Sequence, residues 1–353
     1  MNWRELGKKL QELPRDFDTS KISKGKDLAD PLKETFLSVV SELDEKEIYY
    51  LRKSDIKSKD LLLKDLAAQI DKVNYCISRA NPLEDDVNPN LDKILFKTTG
   101  DCDLKSEYCY LLPTGSHLYR MRNVVGEYKR FKKEGLYSVC EKDCKVISHA
   151  RFNTGGVSLL YLAESLYTAW EEMSRPDFHR VNFVRFETTR ELKVLDLTVP
   201  DVPDSINSLV RAYMAVACGM KVKDNEAYNW EYEFSNLISN RVYNRIRAGK
   251  TSIVGIRYHS TRRFEDDFNI DNSDISISYA FIPQDTTHPS GYCPKLAGKF
   301  KMTEPSSYFF LKVHRQKFVP ADKPNTSEYQ HTIFAELEEI LKSQETTPCT
   351  DLL

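Results

Sequence analysis

Apolar residues recur at helical intervals from Met1 to about Asp101. Leu32, Phe36, Val39, Val40 and Leu43 form one stripe, and Leu61, Leu62, Leu66, Ile70 and Val73 form a second, with Lys, Asp and Glu between them. Steps of three and four residues put such positions on one face of a helix. Asp30-Pro31 reads as an N-cap followed by proline at the first helical position. Pro82 and Pro89, set among acidic residues between Asn81 and Asp92, end the helical run. From Tyr108 short β-like runs take over: Cys109–Leu112, Leu118–Met121, Leu159–Leu162, Val181–Phe186, Lys193–Leu197, Ser252–Tyr258 and Ile275–Phe281. Helical stretches at Ser165–Met173, Ile206–Ala217 and Tyr232–Arg247 fall irregularly between them. That irregular mixture predicts an α+β fold, helical first and strand-rich afterwards, rather than a regular doubly wound sheet. Ser327–Lys342 reads as a terminal amphipathic helix with Phe334, Leu337 and Leu341 on one face, and the last ten residues are expected to fray.

The chain has 353 residues, more than one domain of roughly 100–200 residues needs. The pattern suggests a helical accessory or regulatory region at 1–101, a strand-rich region at 102–320, and a C-terminal helix and tail at 321–353. A composition of 41% hydrophobic and 29% charged residues is that of a folded globular protein. Lys and Arg number 51 against 53 Asp and Glu, so the basic excess of a nucleic-acid binder is missing. The local basic stretch Arg120–Lys133 is explained by a solvated loop. Met-Asn-Trp-Arg-Glu-Leu has no apolar core of a signal peptide. The nearly apolar run Ala212–Met220 is far shorter than the ~18 residues of a membrane span. A soluble, cytoplasmic protein that binds neither membrane nor nucleic acid is expected.

Of the eight cysteines, Cys140 and Cys144 are separated by three residues and Cys102 and Cys109 by six. Zinc pairs usually leave about two to four residues between ligands, so only the first pair has that spacing. Reduced thiols are the simpler reading of Cys102, Cys109, Cys140 and Cys144, and no metal is assigned. Only 13 glycines occur, with neither a dinucleotide fingerprint nor a P-loop. A nucleotide would have to be held by other means.

Four segments carry polar groups inside strand-like surroundings: His117-Leu118-Tyr119-Arg120-Met121, Ala150-Arg151-Phe152-Asn153-Thr154-Gly155-Gly156, Tyr161-Leu162-Ala163-Glu164-Ser165 with Ala169-Trp170-Glu171-Glu172 after it, and Gly255-Ile256-Arg257-Tyr258-His259-Ser260-Thr261-Arg262-Arg263. Singly each has an ordinary explanation: a paired arginine, a core tyrosine, surface glutamates, a turn serine. Their order is what distinguishes them. An Arg, then Arg-Phe-Asn-x-Gly-Gly-x-x-x-Leu-Tyr-Leu-Ala-x-Ser, then Ala-x-x-Glu, then Gly-Ile-x-Tyr-x-Ser-x-Arg resembles the RES domain family, whose name comes from its Arg, Glu and Ser. Counting eleven residues from Tyr161 selects Glu172 and leaves Glu171 as its out-of-register neighbour. Leu195-Asp196-Leu197 also looks like the family's middle strand. Phe152 stands where the family has Trp, and the long charged stretch Val124–His149 leaves the first arginine as Arg120 or Arg122. The resemblance covers about Leu118 to Pro283.

The resemblance implies a fold related to ADP-ribosyltransferases and a toxin-like enzyme that consumes NAD as substrate, with no further cofactor. It implies an antitoxin or regulatory protein as partner and leaves a homo-oligomer open. Glu172, Arg151, Tyr161 and Ser260 are then the catalytic set, and Arg120, Arg151, Tyr161, Ser260 and Tyr258 the NAD-binding set. The residue types suit the task. Breaking the nicotinamide–ribose bond passes through an oxocarbenium-like state that a carboxylate such as Glu172 stabilises. Arginine forks at Arg120 and Arg151 match a diphosphate. Tyr161 can stack on nicotinamide, Tyr258 pack beneath it and Ser260 hydrogen-bond nicotinamide or ribose. His259 is expected to be exposed rather than catalytic. Water, phosphate with Arg257, Arg262 and Arg263 as its anchors, or a protein side chain remain open as acceptor.

Overall fold

The computed structural model describes the chain except residues 21, 23, 52–55, 57, 80–88, 98–103, 125, 127–128, 139–149, 154–157, 222–229, 263–275, 285–287, 289, 309–328 and 330–331. It is α+β, with helices leading and a sheet following. Two compact units form, each from three stretches of chain: 1–110, 149–154 and 195–252 in one, and 111–148, 155–194 and 253–353 in the other.

The first unit is helical: Trp3–Asp16, Ala29–Ser41, Lys59–Ser78, Pro89–Leu95, Ile206–Cys218 and Glu233–Arg247. Asn2 and Glu5 cap the first helix reciprocally, each satisfying a backbone N–H the other end of the pair would leave open. Most of the stripes read from sequence face inward: Leu32, Phe36, Val40, Leu43, Leu62, Leu66, Ile70 and Val73 are fully buried, while Val39 is half-buried and Leu61 is exposed. Ile206–Cys218 is buried almost all round, as a helix apolar on every side must be. Its Tyr213 packs edge-on against Phe36 and donates to Asn74 Oδ1 at 2.5 Å. Arg241 and Arg245 both converge on Asp92. Two boundaries differ from the sequence reading. The 3-10 turn Gly25–Leu28 runs straight into the helix at Ala29, so Asp30 lies in the first turn rather than at the cap. Its charge still suits the positive helix end, and Pro31 sits where an N–H has no partner to lose. The helical run also resumes beyond the prolines, with Pro89 as the first residue of Pro89–Leu95.

The strands are β1 (Cys109–Leu112), β2 (His117–Asn123), β3 (Leu160–Ala163), β4 (Val181–Thr188), β5 (Leu192–Leu197), β6 (Gly255–His259), β7 (Ile277–Phe281), β8 (Phe300–Met302), β9 (Ser306–Ser307) and β10 (Thr347–Pro348). Within the second unit the order is β6-β7-β3-β2-β4-β8-β10, with β9 also on β4. Each of these pairings is antiparallel. One face buries Tyr119, Met121, Ala163, Val181 and Phe183 under helix Leu166–Glu172 and the terminal helix Ile333–Lys342. The opposite face is aromatic: Phe186, Tyr279, Phe281 and Phe300 stack or meet edge-on.

The terminal helix begins at Ile333, capped by Thr332, and Phe334, Leu337 and Leu341 are its buried face as the pattern requires. The residues after it do not fray. Thr347 and Pro348 pair with Met302 and Lys301, and Cys349 is fully buried. Arg185 anchors this return by donating to Leu341 O at 3.0 Å and Gln344 O at 3.1 Å, a cation on the negative end of the helix. The expectation of a loose tail overlooked that one two-residue ladder and one buried thiol can fix so short a segment.

Glu338 points from the terminal helix to the start of Leu166–Glu172, where its Oε1 accepts from Leu166 N at 2.7 Å and Tyr329 Oη at 2.5 Å. Burial raises this carboxyl above its ordinary range, against the hydrogen bonds from Tyr329 and Leu166 and the pull of Lys342, with Glu339 adding repulsion. The native chain therefore holds the proton more tightly than the unfolded one. The group's contribution is complete at pH below the ordinary carboxyl value and is lost as pH rises through the raised value. Glu338→Gln should flatten that component, so melts between about pH 4.5 and 7 should show a smaller loss of stability in the variant than in the wild type.

Candidate active site

Helix Leu166–Glu172 delivers the two glutamates to different surroundings. Ser165 caps it, its hydroxyl accepting from Thr168 N at 3.0 Å. Glu171 is buried and takes Arg175 Nε and Nη2 at 2.8 and 2.6 Å. Arg175 also lies over the Trp170 ring at 5.7 Å. This pairing holds Ser174 and Arg175 in left-handed backbone conformations, φ 60° and 53°, which non-glycine residues adopt only where surroundings compensate. Glu172, one residue on, is exposed, and its Oε1 accepts from Ser278 Oγ at 3.3 Å. One carboxylate is buried in an ion pair and the next is exposed.

Strand register shows what shares the surface with Glu172. Directly paired residues, and residues two apart on a strand, face the same side. Tyr161 pairs with Ala280, Ala163 with Ser278, and Tyr258 with Ser278. Ser260 continues this line, its N–H donating to Ser276 O at 2.7 Å. Tyr161, Tyr258, Ser260, Ser276 and Ser278 thus belong to the side on which Glu172 sits. Small side chains (Ala163, Ser276, Ser278, Ala280) occupy it where the reverse face carries phenyl rings. Ser260 is buried, and its Oγ accepts from Arg262 N at 3.3 Å, which leaves the hydroxyl proton to donate elsewhere. Ser278 was not singled out from sequence, although Ile275-Ser276-Ile277-Ser278 alternates hydroxyls into an apolar strand.

Arg120 lies on β2, whose pairing with β3 consists of Tyr119 with Ala163; alternation along β2 therefore sets Arg120 on the aromatic face with Phe186, opposite to Glu172. Beyond that point the strands part, and Arg120 Nη1 donates to Tyr161 O at 3.3 Å. Among the described residues Arg120 forms no ion pair. It is half-buried by surface yet enclosed by protein, as a side chain in a recess is, and desolvation lowers its pKa to about 10, helped by Arg122 and opposed by the phenols of Tyr137 and Tyr161. Arg122 is exposed and donates to Gly135 O at 2.7 Å while lying over Phe131. Of these two arginines, Arg120 is the recessed one.

Arg151 belongs to the helical unit. It is buried, donates from Nη1 to Cys218 O and from Nη2 to Met220 O at 3.1 Å, and lies 5.2 Å from the Tyr232 ring centre. It therefore caps the negative end of Ile206–Cys218. Phe152 beside it is buried, with its carbonyl held by Ser239 Oγ at 2.5 Å. Arg151→Ala should destabilise that unit by about 2–3 kcal/mol, because buried carbonyls lose a charged donor; denaturant melts check this.

Other residues singled out from sequence fall as follows. Arg257 faces the aromatic side, 3.8 Å from Glu164 Oε1, which also accepts from Tyr279. His259 is half-buried with both ring nitrogens shielded from solvent, rather than exposed, because strand alternation turns it onto the face that Tyr279 occupies. Cys109 is partly buried; Cys102, Cys140, Cys144, Gly155, Gly156 and Arg263 lie outside the described residues. Among the described residues no group of His, Cys, Asp and Glu is arranged to hold a metal. No helix among them is long and apolar enough to cross a membrane.

Residues 133–271 match the family model of the RES domain. This stretch is similar to the RES domain family. The matched stretch contains Arg151, Tyr161, Glu172, Tyr258 and Ser260, and Arg120 precedes it. A Bacillus subtilis (strain 168) protein named "Putative toxin YopC" is 24% identical over 240 residues, covering 62% of this chain. The chain spans about half the length of that relative, 51%. No solved structure gives a significant match.

Proposed function

We propose that the RES-like region cleaves the nicotinamide–ribose bond of NAD and acts as a toxin-like effector that an antitoxin restrains. The observation that carries this reading is the exposed carboxylate of Glu172, held by Ser278 on the same sheet face as Tyr161, Tyr258 and Ser260. The RES match and a relative named as a toxin support it. Nicotinamide leaves as a neutral base, so no acid is needed to expel it, and the demand falls on stabilising positive charge at the ribose. An ionised Glu172 beside that carbon does so without becoming covalently attached. Ser260 donates its hydroxyl proton to nicotinamide or ribose, Tyr161 supplies a ring face, and Arg120, reaching Tyr161 O from the reverse face where β2 and β3 part, supplies guanidinium donors to a phosphate oxygen.

Water attack yields ADP-ribose, nicotinamide and a proton; phosphate attack yields phosphorylated ADP-ribose. For the phosphate route Arg257 is already engaged by Glu164, which favours water. Transfer of ADP-ribose to a protein is the second reading, favoured by the exposure of Glu172. Incubating the purified chain with NAD, with and without phosphate, and separating the products by chromatography tests all three. Nicotinamide release with free ADP-ribose is the expected result. Intact NAD after prolonged incubation, without antitoxin present, overturns the reading, and a mass increment on protein favours transfer.

A further inference from the structure

The helix that ends in Glu172 has seven residues, and isolated helices below about 12–15 residues are marginal in water. Its position is therefore imposed by neighbours. At its far end the Glu171–Arg175 pair and the Trp170 Nε1 donation to Pro176 O at 2.9 Å hold the chain just past Glu172. Along its side, Tyr167 and Trp170 pack on Phe334 at 5.3 and 5.4 Å between ring centres. At its start, Glu338 takes the Leu166 N–H and the Tyr329 hydroxyl on one oxygen, and Tyr329 also bonds the Ser165 side chain.

A helix start presents N–H groups with no partner of their own. Ser165 satisfies Thr168, and Glu338 satisfies Leu166 from a segment 172 residues away. A carboxylate is favoured at that end by the helix dipole and makes a charge-assisted bond, yet burying it is costly unless it is well bonded. An apolar contact would hold the helix against the sheet without fixing its sliding or rotation. A carboxylate bonded to one particular backbone N–H fixes both. Any slide of the helix start passes through the rigid turns to the carboxylate at its end.

We infer that Glu338 and Tyr329, on the C-terminal segment, are positioning residues for Glu172, clamping the first turn of its helix so that the carboxylate is set for reaction. This rests on the reading of Glu172 given above. The test uses the full chain as wild type, Glu338→Ala, Glu338→Gln and Tyr329→Phe. It reads kcat and KM for NAD, and amide hydrogen exchange in the 166–172 segment. Glu338→Ala should lower kcat by about 10- to 100-fold with KM within about 3-fold, since small misplacements of a reacting group have effects of that size. Exchange in 166–172 should quicken. Glu338→Gln keeps an acceptor oxygen at the same reach and should recover most of both. Unchanged exchange in Glu338→Ala, or equal losses in the Ala and Gln variants, overturns the inference. If Glu338→Ala does not fold, Tyr329→Phe decides in the same way, by faster or unchanged exchange. A wild type inert towards NAD would sink the functional reading alone, and the exchange measurements would still decide the clamp.

Discussion

Glu172→Gln is expected to reduce NAD turnover by about 100- to 1,000-fold while leaving KM within a few-fold, the pattern of a group whose contribution is made in the transition state. The substitution keeps size and an acceptor oxygen, so the Ser278 hydroxyl retains its bond. What it removes is the negative charge facing the ribose as cationic character develops. Because Glu172 is exposed, stability should barely change. Glu171→Gln gives the opposite result. Glu171 is buried and ion-paired with a partly exposed Arg175, and losing the charge from such a pair costs about 1–3 kcal/mol. Two adjacent glutamates thus separate a catalytic from a structural role: one variant is stable and inactive, the other destabilised, with whatever fraction stays folded still turning over. Turnover rates normalised to folded protein, with melts on the same samples, check the pair. Near-normal turnover in Glu172→Gln removes the carboxylate from the chemistry.

That distinction was half-legible in the sequence. Counting from Tyr161 selects Glu172, but nothing in Glu171-Glu172 says which carboxylate is buried. The answer depends on Arg175, reached through two left-handed residues that no periodicity announces. Strands were legible where apolar runs are short and bounded, as at Val181–Thr188 and Gly255–His259, and helices where stripes are long, as at Ile206–Cys218. Periodicity is a local signal. It does not report that residues 149–154 and 195–252 share a compact unit with the first helices, nor that the chain after Lys342 returns to pair with β8. The site was legible as a set of residue types in order. Its supports were not: Ser278, Glu338 and Tyr329 act through distances between remote segments, and each looks ordinary in its own neighbourhood.

Arg120 carries the second large effect. Arg120→Ala should raise KM for NAD by about 30- to 100-fold with a smaller change in kcat, corresponding to about 2–3 kcal/mol for a charge-assisted bond to a phosphate oxygen. Arg120→Lys should recover only part of this, since a point charge replaces a fork. Stability should respond differently. Arg120 is enclosed, its pKa drawn down to about 10 by desolvation, and its described bond is to Tyr161 O. Removing it relieves the cost of a buried cation and sacrifices one hydrogen bond, two effects of opposite sign. The melting midpoint should therefore move little while affinity collapses. A residue kept for packing would show the reverse. A KM unaffected by Arg120→Ala would mean that the opening between β2 and β3 does not receive the phosphates, and the anion anchor would have to be sought elsewhere along the chain.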